Sequence, residues 1–84
     1  MQNNSTHRDI CDIAGDIRRD WGAKVNFAAK PYLEAMLCVA KPSDKYYYDS
    51  AESLVRYFLG NASTYRGDKA KQYKAELKAI VGMK

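Results

Sequence analysis

Apolar residues recur at helical spacing in four stretches of the chain, and the clearest runs over 50–62. At about 100° per residue, Ala51, Leu54, Val55, Phe58, Leu59 and Ala62 fall on one broad face, with Glu52, Ser53, Arg56 and Ser63 opposite. A face this wide predicts a central helix touched by several neighbours rather than one lying on a surface. Asp49 or Ser50 is placed to cap its start, and Glu52 follows Asp49 at the spacing of a capping box. Gly60 offers a stop, but the apolar Ala62 favours continuation.

Ile10, Ile13, Ala14, Ile17 and Trp21 repeat the pattern and predict a first helix over 7–20, with Thr6 and Asp9 as an acidic form of the capping box and Gly22 as terminator. Gly15 weakens this helix and leaves room for a close neighbour. Residues 1–5 read as a loose tail. In the connection 22–30, Val25 and Phe27 are expected to plug the core. Pro31 suits the first turn of a second helix over 31–40, apolar almost all round apart from Glu34. Such a helix is either central or part of an oligomer interface, which leaves a homodimer open. Lys41-Pro42 stops it. A turn over 63–68 leads to a fourth helix over 69–81, with Asp68 as N-cap, an inner stripe of Ala70, Tyr73, Leu77, Ile80 and Val81, and Gly82 as terminator. No stretch reads as a strand. The expectation is an all-α single domain, a compact bundle or orthogonal array of four short helices.

Length changes little in this picture: 84 residues hold one core and give modest stability. No apolar run approaches the ~20 residues that span a bilayer, and the polar start MQNNSTHRD carries no secretory signal. The expected setting is a reducing cytoplasm, with no membrane partner. Cys11 and Cys38 sit in no CxxC pattern and His7 is the only histidine, so ordinary thiols and no metal or cofactor are expected. Asn4-Ser5-Thr6 and Asn61-Ala62-Ser63 match a glycosylation triplet by chance alone in that compartment.

Charge adds more. The net charge of +4 permits nucleic-acid or phosphate partners. Lys71, Lys74 and Lys78 line one flank of the fourth helix at i, i+3, i+7, with Glu76 nearly alone against them. Asp9, Asp12, Asp16 and Asp20 share one face of the first helix, beside its apolar stripe. The stripe reads as a solvated edge; a straight helix closes no coordination sphere for a cation by itself. Whether the two flanks neutralise each other is open at this level.

Seven tyrosines suggest binding. Tyr46, Tyr47 and Tyr48 are consecutive, follow Lys45, and cannot all face one core. Tyrosine offers a stacking face and a hydroxyl at low entropic cost, useful for bases and for protein partners alike. Tyr65, Arg66 and Gly67 precede the fourth helix, where backbone N–H groups form an anion pocket in outline, although an Asp68 cap would fill it. Arg18-Arg19 beside Trp21 is a weaker candidate, because Trp21 continues an apolar stripe and is read as core. A helix-turn-helix reading of the last two helices lacks an Arg, Asn or Gln cluster for base readout. No Ser–His–Asp set, Walker loop, GxGxxG or HExxH is present. The expected ligand set is Lys45, Tyr46, Tyr47, Tyr48, Tyr65, Arg66, Lys71, Lys74 and Lys78, in a binding protein rather than an enzyme.

The phrases DIAGDIRRDW, PYLEAML, DSAESLVRYFLGNASTYRG and KAELKA resemble those of a group of very short phage and mobile-element proteins, over residues 9–80. That group has no established activity, so the resemblance assigns no residue a role. It implies a counter-defence setting in which small proteins act by binding, as sequesters of a nucleotide signal or as inhibitors of a host enzyme or defence complex. The leading expectation is therefore a phosphate-rich ligand, a nucleotide signal or nucleic acid. A host protein partner, or a structural dimer unit, is the alternative.

Overall fold

The computed structural model describes residues 7–83. Among these, four α-helices follow in order: α1 (Ile10–Trp21), α2 (Lys30–Met36), α3 (Ala51–Gly60) and α4 (Asp68–Ile80). A 3₁₀ turn, Gly22–Lys24, extends α1. Between α2 and α3 stands a small antiparallel hairpin, β1 (Lys45–Tyr46) and β2 (Asp49–Ser50), paired Lys45 to Ser50 and Tyr46 to Asp49. The fold is therefore helical but not strictly all-α. The hairpin escaped the sequence reading because strands of two residues show no alternation.

One apolar cluster holds these elements together. α1 contributes Ile10, Ile13, Ala14 and Ile17, all fully buried, and its Trp21 meets Phe58 of α3 edge-on at 6.1 Å between ring centres. α1 packs against α4 on one side and α2 on the other, and α2 packs in turn on α3. Arg8, just before α1, forks onto Glu76 late in α4 at 2.9 and 3.1 Å, while Asp20 near the end of α1 shares a depression with Lys69 near the start of α4. The two helices thus run antiparallel. The Cα radius of gyration is 12.0 Å, the value expected of a chain this long folded around one core.

The helix ends follow local chemistry. α1 starts at Ile10, three residues later than the periodicity suggested; Asp9 precedes it without a side-chain capping bond, and Thr6 lies outside the described residues. Ser50, not Asp49, caps α3 by accepting from the Ser53 backbone N–H at 3.1 Å. α3 stops at Gly60, and Ala62 is buried from the loop instead. α2 ends early at Met36, tightening into i→i−3 bonds from Cys38 to Ala35 and Val39 to Met36. Leu33, Ala35 and Met36 of α2, with Val39 just beyond it, are buried in the core of the same chain, while Pro31 is exposed and Tyr32 only partly buried. α4 begins at Asp68, with Gly67 (φ 118°) as N-cap; Asp68 is inside the helix rather than its cap. At the other end Gly82 (φ 73°) donates to Ala79 and Met83 donates to Lys78 at 2.8 Å, a Schellman closure.

Phe27 overturns an expectation. It does not plug the core but stands 94% exposed. The turn after Asn26 decides this: Ala29 and Lys30 both donate to the Asn26 carbonyl at 3.1 Å, which carries Ala29 inwards and Phe27 out. Val25, by contrast, packs against the core as expected. No helix among the described residues is long and apolar enough to cross a membrane.

Candidate functional site

The expected ligand residues divide into two groups set at opposite ends of α3. The hairpin carries Lys45, Tyr46, Tyr47 and Tyr48 to its first residue. Tyr65 and Arg66 follow its last turn, beside the start of α4. Ten helical residues at 1.5 Å each separate the two ends by about 15 Å. A single pocket combining tyrosine stacking with the basic flank is not formed.

Along α4, Ala70 and Leu77 face the core, while Tyr73 and Glu76 turn towards α1. Lys71, Lys74 and Lys78 fall within an arc of about 60° on the other flank. Lys74 borders the buried stripe. Its ammonium donates to the Tyr65 carbonyl at 2.6 Å and sits 5.7 Å from the ring centre. Burial lowers its pKa from the ordinary lysine value, and the positive charges of Lys78 and Arg66 lower it further. Those two cations are therefore close enough to be felt at Lys74. Arg66 is exposed and tethered only by a long bond, 3.4 Å, to the Ser63 carbonyl.

The acidic stripe of α1 does not neutralise this flank. Asp16 is gripped by Arg8 at 2.7 Å and by Arg19, Asp9 by Lys41 at 2.9 Å, and Asp20 accepts from the Tyr65 hydroxyl at 2.8 Å. Glu76 belongs to Arg8 and Glu52 to Arg56. None of the ion pairs among the described residues involves Arg66, Lys71, Lys74 or Lys78. Asp68 precedes Lys71 by one turn and makes no side-chain cap on the helix start.

Tyr65 leaves the candidate set. It is 2% exposed, stacks on Trp21 at 4.6 Å, and presents its other surface to Lys74. Burial first, and then the hydrogen bond to Asp20, raises its pKa well above that of an ordinary tyrosine. It is a core residue with a satisfied hydroxyl. The hairpin tyrosines behave differently. Tyr46 is half-buried and meets the Tyr47 ring edge-on at 4.8 Å, while Tyr47 is 83% exposed and Tyr48 fully exposed. Tyr47 has φ 58°. A positive φ at the first loop residue of a two-residue hairpin is the arrangement that normally selects glycine.

A third surface lies outside the sequence-predicted set. Phe27, Ala28, Pro31, Tyr32 and Asn61 line an open depression of about 490 Å³, and Tyr32 packs on the half-exposed Tyr57 at 5.4 Å. Tyr57 was legible as lying off the buried face of α3. Phe27 gave no such signal, since a loop has no period from which to read its direction. Among the described residues no group of three or more His, Cys, Asp or Glu side chains is placed to hold a metal ion, and both cysteines are free thiols. No family model, curated protein or solved structure matches the chain.

Proposed function

We propose that the chain is a non-enzymatic binding domain for a phosphate-rich ligand, held on the flank formed by Arg66, Lys71, Lys74 and Lys78. The observation that carries this reading is electrostatic. The carboxylates Asp9, Asp16, Glu52 and Glu76 are committed to Arg8, Arg19, Lys41 and Arg56. Among the described residues the four cations of the α4 flank enter no ion pair, and the charges of Lys78 and Arg66 act on Lys74. Like charges held together without a counter-charge cost stability, and an anionic ligand removes that cost. The tyrosines are not part of this site: Tyr65 is in the core and the hairpin is at the far end of α3. A ligand of this kind would suit the counter-defence setting implied by the resemblance to short phage proteins.

The test is retention and titration. Wild-type protein is expected to bind polyphosphate-bearing ligands at low salt and to release them as salt rises. A Lys71→Gln, Lys78→Gln double variant, with its fold checked by the Trp21 fluorescence, is expected to lose most of that binding. Binding that is unaffected in the double variant would place the ligand elsewhere and end the reading.

A specific observation supports a second reading, a protein partner at the hairpin. Tyr47 holds a backbone conformation unfavourable for its type while displaying its ring to solvent, and such strain collects at functional positions. This reading predicts salt-tolerant capture of a partner that is lost in Tyr47→Ala and Tyr48→Ala. Retention of the partner in both variants would exclude it.

A further inference from the structure

Resting on the phosphate-ligand reading, we infer that the α4 flank takes the sugar-phosphate backbone of duplex nucleic acid, independently of base sequence. Three observations point to a strand rather than a nucleotide. The first is shape. The main surface depressions of the described residues are lined by other side chains, and Arg66, Lys71, Lys74 and Lys78 line none of them. A small nucleotide is held by pocket walls that bury most of its surface. An open face gains affinity only by repeating a weak contact along a long polyanion.

The second observation is spacing. Lys71 to Lys78 spans seven residues of α4, about 10.5 Å along the helix axis. One duplex strand advances 3.4 Å per phosphate along its axis, so the row runs beside about three phosphate steps. Arg66, immediately before the helix, extends the row.

The third is that, among the described residues, no free ring is placed to stack beside the row. Trp21 and Lys74 occupy the surfaces of Tyr65, Tyr73 lies under the Arg8 guanidinium, the half-exposed Tyr57 packs on Tyr32 of α2, and Tyr47 and Tyr48 lie at the other end of α3. Proteins that hold single strands add base stacking on aromatic side chains to their charges. A face that offers cations alone fits a duplex, whose bases are already stacked and whose phosphates point outwards. Phosphate contacts position a protein without reading sequence. Gln72, on the exposed surface of α4, projects about 130° away from the centre of the basic arc.

The experiment is fluorescence anisotropy of the full chain with labelled 20-base-pair duplexes of two unrelated sequences. The matching single strand, ATP, a cyclic dinucleotide and anionic lipid vesicles are run beside them. Equal affinity for both duplexes is expected, with a log–log salt slope of roughly −3 to −4 for three to four phosphates. Lys71→Gln with Lys78→Gln should flatten the slope by about 2 units, one per lysine. Tighter binding of ATP or the dinucleotide than of the duplex overturns the inference and leaves the phosphate-ligand reading standing. Preference for the single strand or for vesicles overturns the duplex assignment in the same way. No binding of any of these at low salt, or an unchanged slope in the double variant, overturns both.

Discussion

Gly15 sits in the middle of α1 with open surroundings: an added Cβ would meet nothing nearer than Arg19 Nη1 at 3.7 Å, an ordinary contact. The close helix approach suggested by a mid-helix glycine is absent, and its backbone φ is not positive. Its flexibility therefore only opposes helix formation. Gly15→Ala is expected to stabilise the fold by about 0.5–1 kcal/mol, a rise of roughly 2–8 °C in Tm. A thermal melt in which the variant is less stable would reveal a contact that Gly15 makes room for. Other single residues show where sequence reading reaches its limit. Trp21 was legible as core because it extends a helical stripe, so its position had a direction. Phe27 and Tyr65 lie in loops, where hydrophobicity states a preference for burial without stating which residue obtains it. The turn at Asn26 gave the buried place to Ala29, and the segment after α3 gave one to Tyr65.

Helices were readable as elements because each buries one stripe, yet their ends were set by single hydrogen bonds that periodicity does not contain. The start of α3 illustrates this. Asp49 and Ser50 both have capping chemistry and both pair in the hairpin, but Ser50 stands immediately before the first helical residue, and its hydroxyl receives the Ser53 N–H at 3.1 Å. Ser50→Ala is expected to cost about 1 kcal/mol, whereas Asp49→Ala should cost clearly less. Urea midpoints of the two variants separate the assignments; the reverse order would mean that Asp49 is the effective cap. The hairpin also explains why the candidate site was only half legible. The tyrosine triplet announced exposed rings, and two of the three are exposed. The basic flank of α4 was visible as an i, i+3, i+7 row. That the hairpin and the start of α4 lie at opposite ends of α3 follows from chain order; that no pocket joins the two groups is decided by tertiary packing, which no local pattern encodes.

Across the whole molecule, charge fastens the termini of elements together, and this makes stability depend on pH at both extremes. The grip of Arg8, by hydrogen bond first, lowers the Asp16 pKa, and the same arginine bridges α1 to Glu76 on α4. Asp44 is lowered by accepting the backbone N–H groups of Lys41 and Ala40, each at 2.9 Å, which fixes the segment between α2 and the hairpin. A carboxylate with a lowered folded pKa contributes stability that is present above its unfolded value and lost as pH falls through the folded value. The acid limb should therefore begin below about pH 4. On the alkaline side the sign reverses. Lys41, raised by its bond to Asp9, and Tyr65, raised mainly by burial, both contribute stability that is present below their unfolded values, near pH 10, and lost as pH rises through the folded ones. Lys74, whose pKa is lowered, acts in the opposite sense there and offsets part of the loss. The expected profile is a plateau from about pH 5 to 9 that falls on both sides. Urea midpoints measured by fluorescence of the single Trp21, which is stacked on Tyr65, follow it directly. Asp44→Asn keeps an oxygen able to accept the same two N–H bonds but removes the titrating group, so its acid limb should be shallower than that of the wild type. Tyr65→Phe removes the ionising hydroxyl and should flatten the alkaline limb. If both variants retrace the wild-type profile, the groups that set the pH limits lie outside these two clasps.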